Sequence, residues 1–402
     1  MGTFTRAALL AALTLAEAAR AEPSPTADPP LAPDPVSPAA PRPRAFDAIG
    51  LPMVNYSTDL GLGLGLVGGA YFYAPGHEPY RHALGARTYF TTGGEQSHFI
   101  RYDGPGLLGP LRLEAQLELK RDLRMPYFGP GNRAAPEFAG GAIPDRFSYQ
   151  RTSPRAWVRL RGHPSGRDHP FQLWVSYLFQ TVDVRARELS LLAEAPPPGF
   201  EGGRAGQLGL GALWDTRDSE TNPSRGGVLE VALRASFEGT FSDHDFAGLT
   251  LGVRRYVPLG SPALVLALRA VLDHQAGDVP FYDWAQVGGL SAAEGIGGMS
   301  SVRGVPRARF AGNTKAFANL ELRWLPLSLT LLERRILVGP VAFADAGRVW
   351  QPAVDNGPWY AWHPGVGLGL RAVIGAAVLR GDWALSTETG RSGLYLTMGH
   401  MF

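Results

Sequence analysis

The residues best placed to do chemistry lie late in the chain, at Ser301-Val302-Arg303-Gly304-Val305-Pro306. An arginine between Val302 and Gly304, after a Gly-rich connection over residues 288–299, is written to be buried, and a buried guanidinium needs acceptors. Two carboxylates downstream can serve: Glu321 in Phe317-Ala318-Asn319-Leu320-Glu321-Leu322-Arg323 and Asp345 in Phe343-Ala344-Asp345-Ala346-Gly347. A guanidinium presents five N–H donors in a planar fork and does not deprotonate, so carboxylates on two elements can share it. That is the chemistry of an ion-pair lock rather than of catalysis.

Other constellations carry less. Gly63-Leu64-Gly65-Leu66-Val67-Gly68 matches a dinucleotide fingerprint in letters, but its glycines alternate with leucines and no helical pattern follows. It reads as small inward residues of a strand and implies no cofactor. The nine histidines, His82, His98, His274, His363 and His400 among them, form no His-x-x-x-His pair, and no Gly-x-Ser-x-Gly occurs, so no enzyme and no metal site are expected. With no cysteine, disulfides and thiolate sites are excluded. A net charge of +2 without a dense basic cluster argues against a nucleic-acid partner.

The elements that must position Arg303 are strands. In Leu111-Arg112-Leu113-Glu114-Ala115-Gln116-Leu117-Glu118-Leu119-Lys120 the apolar and polar residues separate completely at period two, which a helix would mix around its circumference. Ten residues also suffice for a strand to cross a bilayer. The same alternation recurs at Leu229, Val231, Leu233 and Ala235, and at Leu264, Leu266 and Leu268. No run of eighteen apolar residues occurs and mean hydropathy is −0.07, as in a transmembrane barrel, whose apolar residues sit at every second position.

Sixteen alternating segments can be counted, from 48–58 to 313–326 and finally 391–402, an even number as bacterial barrels require. If the first runs outward, the long connections near 123–145, 183–203, 278–312 and 351–362 all fall on the extracellular side. Arg303 then sits in the sixth outer loop. On strand parity Glu321 faces the lumen, and a lumen holding water would leave the pair only partly desolvated. Trp157, Trp174, Trp214, Trp324 and Trp383 read as girdle or lumen aromatics.

Residues 1–21 carry Arg6, a short apolar run and Ala19-Arg20-Ala21, the pattern of a secretory signal peptide. Residues 22–45 hold nine prolines and read as a disordered periplasmic tail, leaving 46–402 for the barrel.

The Val302-Arg303-Gly304 tip with Glu321 and Asp345 resembles the signature of the outer-membrane assembly-factor superfamily typified by BamA and TamA, the bacterial surface antigen family. Trp214-Asp215-Thr216-Arg217-Asp218 with Asn222-Pro223, and Tyr127-Phe128-Gly129-Pro130-Gly131-Asn132 in the third outer loop, are similar to that family's pattern too. The resemblance implies an all-β, antiparallel barrel of sixteen strands whose sixth loop folds inward. It also implies that Arg303 and Gly304 pair with Glu321 and Asp345, the latter assigned inward mainly on this ground. Asp215, Arg217, Asp218, Asn222 and Pro223 would form a periplasmic turn, with Asp and Asn as turn formers.

In the closing segment Leu394, Leu396, Met398 and Phe402 share a face, which resembles a terminal insertion signal at Phe402. The resemblance further implies insertion or translocation of outer-membrane proteins through a seam between first and last strands. Pro52 in the first strand removes one ladder donor there. The family's periplasmic POTRA domains have no room in residues 22–45, so a separate periplasmic partner or the assembly machinery is expected beside outer-membrane lipid. The alternative is a passive pore or structural protein that keeps the fold alone.

Overall fold

In the computed structural model, residues 45–402 are described apart from 76, 136–142, 167–168, 290–292, 332–333, 353 and 376. The signal-peptide and tail readings, and residues 290–292 of the Gly-rich connection, lie outside the described residues.

Period-two alternation becomes a single antiparallel sheet closed on itself. In chain order the strands are β1 (Phe46–Ser57), β2 (Gly61–Ala74), β3 (His77–Thr91), β4 (Glu95–Leu108), β5 (Leu111–Pro126), β6 (Ser148–Gly162), β7 (Phe171–Ala186) and β8 (Gly202–Asp215). They continue as β9 (Gly226–Ser236), β10 (Phe246–Pro258), β11 (Leu264–Gly277), β12 (Thr314–Trp324), β13 (Leu327–Leu331), β14 (Arg334–Trp350), β15 (His363–Ile374), β16 (Ala377–Ser386) and β17 (Ser392–Met398). Both β12 and β13 pair with β14, along Arg323↔Val341 and Leu327↔Val338, so they are two lengths of one stave and the wall has sixteen staves. The sequence reading ran this stave as one segment to residue 326. The interruption falls at Leu325-Pro326, where proline cannot donate to a ladder.

The side chains sort as the alternation predicts. Leu117 and Leu119 of β5 point outward, while Arg112, Glu114 and Glu118 are buried inside. Trp214, Trp324 and Trp383 are exposed on the outer surface, whereas Trp174 is buried in the lumen. The long connections 127–147, 187–201, 278–313 and 351–362 share one rim, here the outer rim.

The sixth loop folds into the lumen. The sixth loop packs Val287, Ala293, Ile296, Val302, Val305 and Phe310 onto Phe317 and Val349 of the inner wall. Nearer the outer rim, its one-turn helix Phe281–Trp284 packs with Met125, Tyr127, Tyr149 and Val182. Burying a loop's backbone polar groups requires internal partners. An isolated bridge, Ile296↔Phe310, and mutual bonds between Ser301 and Gly297 supply some of them.

Closure is uneven. The pairing of β1 with β2 runs through twelve residue pairs, but β1 and β17 pair only at Tyr56↔Leu396 and Ser57↔Tyr395, at the outer end.

Candidate functional site: the loop lock and the seam

The loop tip enters a notch cut by glycines. A Cβ on Gly347 would lie 2.6 Å from Ile296 and 2.8 Å from Val302, and one on Gly365 would overlap the Arg303 carbonyl oxygen. Inward glycines on β14 and β15 therefore let the loop backbone touch the wall. Gly304 itself has φ +88° and lies against β16, where a Cβ would come within 2.6 Å of the Ser386 nitrogen, so both conformation and space require glycine.

In that notch Arg303 is held by three carboxylates. Its Nε and Nη2 donate to the two oxygens of Asp345 at 2.8 and 3.0 Å, and its backbone N–H donates to the same carboxylate at 3.1 Å. Nη1 donates to Glu321 at 2.7 Å and to Asp382 at 2.8 Å. The guanidinium also lies 3.4 Å from the centroid of the Phe343 ring. Gly304 donates its N–H to the Tyr395 hydroxyl of β17 at 3.1 Å.

Two points depart from expectation. All four ionic side chains, Arg303, Glu321, Asp345 and Asp382, are 0% exposed, so the pair is dry rather than half-solvated. The reason is the loop, whose apolar residues displace the water a bare lumen would hold. And there are three carboxylates, not two. Asp382 alternates with Leu379, Gly381 and Trp383, so parity could have turned it inward; only the folded loop shows that it meets Arg303. The acids are neutralised further: Arg323 donates to Glu321 at 2.8 Å, Arg371 meets both Glu321 and Asp382, and Asn319 donates to Asp345 at 2.9 Å.

The turn between β8 and β9 holds itself together. Arg217 grips Asp215 through Nε and Nη2 at 3.0 and 2.6 Å, and Asp218 accepts from the Ser224 and Arg225 N–H groups at 2.9 and 3.2 Å. Asn222 reaches the end of the chain: its Oδ1 lies 2.9 Å from Nε2 of His400. Burial and the Arg323 guanidinium push His400 well below the ordinary imidazole value, so the ring is neutral at pH 7.

The end of the chain corrects a reading. β17 stops at Met398, Gly399 turns at φ +82°, and Phe402 does not join Leu394, Leu396 and Met398 on the outer face. It is buried at the inner rim with Tyr256, Val265 and Ala267, and its carbonyl accepts from Arg323 Nη2 at 2.9 Å.

Pro52 lies in the unclosed part of the seam. The Thr58 N–H donates to Leu394 across the seam, so β1 residues of even number direct their backbone toward β17, and the donor missing at Pro52 is on that side. The β1–β17 ladder ends at Tyr56, short of Pro52.

The Tyr127-Phe128-Gly129-Pro130-Gly131-Asn132 segment ties loops together. Gly131 donates to Ala311 of the sixth loop at 2.8 Å, and Asn132 bridges Ala361 and the Val349 N–H at 2.8 and 3.1 Å. Sequence reasoning singled out the segment without predicting these contacts, because neither parity nor composition says which loops meet.

An antiparallel barrel with an inward sixth loop locked by Arg303 is the setting for the comparisons. The profile of the Omp85 superfamily domain matches residues 204–402. Residues 204–402 are an Omp85 superfamily domain. Its structure is similar to BamA from Haemophilus ducreyi lacking POTRA domains 1–3, with TM-score 0.59 and 16% identity over 88% of this chain and 70% of that one. It is also similar to CdiB from Escherichia coli, with TM-score 0.60 and 13% identity over 90% of this chain and 64% of that one. For CdiB from Acinetobacter baumannii the TM-score is 0.54 and the identity 15%, over 89% of this chain and 60% of that one. The chain thus spans less than two thirds of either CdiB structure. At these identities the likeness concerns the fold. A comparison with curated protein sequences gives no match. The Omp85 fold places the barrel in the bacterial outer membrane, its outward aliphatics against lipid.

Proposed function

We propose that this barrel inserts or translocates proteins at the outer membrane, through the seam between β1 and β17. The observation that carries the reading is the uneven closure: twelve residue pairs bind β1 to β2, two bind it to β17, and the missing donor of Pro52 lies in the open part. A strand edge without a partner is a template for another strand, and main-chain pairing reads no particular sequence. In a bilayer such an edge has no water to satisfy it, so an incoming client strand is a favourable partner. The reading assigns no enzymatic step and no cofactor. Clients would arrive from the outer-membrane assembly machinery or a separate periplasmic partner. The passive-pore alternative is disfavoured by a lumen packed with the sixth loop.

The test uses the absence of native cysteine. Extending the register of Tyr56↔Leu396 sets Asn55 opposite Thr397, so Asn55→Cys with Thr397→Cys can be oxidised to staple the seam. In proteoliposomes, client insertion should stop on oxidation and return on reduction. Full insertion by the oxidised protein would remove the seam as the route.

A further inference from the structure

Four residues beyond Arg303 the sixth loop carries a second arginine that faces the other way. Arg307 Nη1 lies 2.7 Å from Asp122 of β5 and Nη2 lies 3.0 Å from Glu95 of β4. Its Nε and Nη2 also hold Glu294 of the same loop at 3.1 and 2.6 Å. Glu294 in turn receives Lys120 of β5 and Arg151 of β6 at 2.9 and 2.8 Å. The Arg307 backbone N–H donates to Asp59, in the turn between β1 and β2, at 3.3 Å. Asp59 is met by Arg391 of the β16–β17 turn at 3.4 Å, a pair that crosses the seam.

We infer that Arg307 is the second anchor of a strap: the sixth loop spans the seam at its outer end, Arg303 and Gly304 fixing it to the late strands and Arg307 to the early ones. The inference rests on the reading of the seam as the working edge and says what holds that edge shut. Residues 303 to 307 are joined by four peptide units, which reach at most about 14 Å when fully extended. The two sides of the seam cannot part at the outer rim beyond the slack in that link unless one anchor lets go. The late anchor is dry, with three carboxylates on one guanidinium. The early anchor is more accessible, its Arg307, Glu95 and Glu294 side chains being 9, 12 and 18% exposed, so water can begin to replace the partners it loses. The early anchor is therefore the one that releases.

Val54 and Met398 point outward on opposite sides of the seam, and cysteines there accept spin labels without entering the lumen. In the full chain reconstituted in liposomes without client, dipolar spectroscopy should give one short distance in the parent. Arg307→Ala should add a longer population, and so, independently, should Asp59→Ala. Arg307→Lys, which keeps a cation among Asp122, Glu95 and Glu294, should hold most molecules at the short distance, which a simple packing loss would not allow. The heat-modifiable gel shift establishes that each variant is folded, and if Arg307→Ala does not fold, Asp59→Ala in the outer turn decides the matter. The parent's single distance retained in the folded variants overturns the strap, whatever happens to clients. A longer population together with full client insertion by the oxidised, stapled protein leaves the strap standing and counts against the proposed route instead.

Discussion

The Arg303 Nη1 donor lies 2.8 Å from the Asp382 carboxylate on β16, one strand from the seam. The lock therefore reaches the strand that carries β17, not only the wall formed by β12 and β14.

Because the lock is dry, Arg303→Ala should be costly. It takes the shared guanidinium from three buried carboxylates and leaves them only Asn319, Arg323 and Arg371, and removing one partner of a buried ionic set costs about 3 to 5 kcal/mol. We expect the protein still to insert, the temperature of the heat-modifiable shift to fall, and proteolysis between Gly288 and Gly312 to accelerate. Arg303→Lys should rescue little, since an ammonium cannot hold Asp345 bidentately while reaching Glu321 and Asp382. A protease-resistant loop in Arg303→Ala would refute the lock.

Gly365→Ala tests the notch from the wall side. The added methyl overlaps the Arg303 carbonyl, so the loop tip must shift although every charge is kept. Overpacking of this kind costs roughly 1 to 3 kcal/mol. Loop proteolysis should rise toward that of Arg303→Ala, whereas Gly375→Ala, with open space around it, leaves proteolysis unchanged apart from local turn strain.

The early anchor should respond to acid. Burial alone would raise the Glu294 carboxyl, but Arg307, Lys120 and Arg151 outweigh it and hold the group well below its ordinary value of 4.5. The folded state thus favours the ionised form, and this stability is fully present above about pH 4.5 and lost as pH falls toward the lower folded value. Loop protease resistance should be flat from pH 8 to pH 5 and decline below. Glu294→Gln should weaken the acid step. A decline centred between pH 6 and pH 7 would exclude this cluster as its cause.

Phe402→Ala should destabilise the inner rim rather than the lipid face. It removes a ring packed on Tyr256, with the Arg323 guanidinium 5.1 Å from its centroid. A loss of roughly 3 kcal/mol is expected for a large buried aromatic. Measured by urea unfolding in micelles, an unchanged midpoint would place Phe402 outside the packed rim. The amount of membrane-inserted protein tests separately whether Phe402 also acts as an insertion signal.

The sequence by itself determined the wall. Period-two alternation places Leu117 outside and Glu118 inside whatever the rest of the chain does, because a strand has only two faces. It also showed which loops are long and that Arg303, Glu321 and Asp345 are a set. What it left open depends on the path of a loop across a lumen, which periodicity does not encode. Asp382 is inward by parity, but that it meets Arg303 follows from where the tip lands, and the landing is fixed by the glycine notch at Gly347 and Gly365. The dryness of the lock has the same origin, since Ile296, Val302 and Phe310 exclude water only once the loop is inside. Arg307 reaches Asp122 and Glu95, about two hundred residues earlier, through closure of the barrel. Alternation would have carried β17 to the end of the chain; Gly399 and the pull of Tyr256 and Arg323 turn Phe402 inward. How far β1 and β17 zip together is thus a tertiary outcome, decided where the closing strand leaves the sheet.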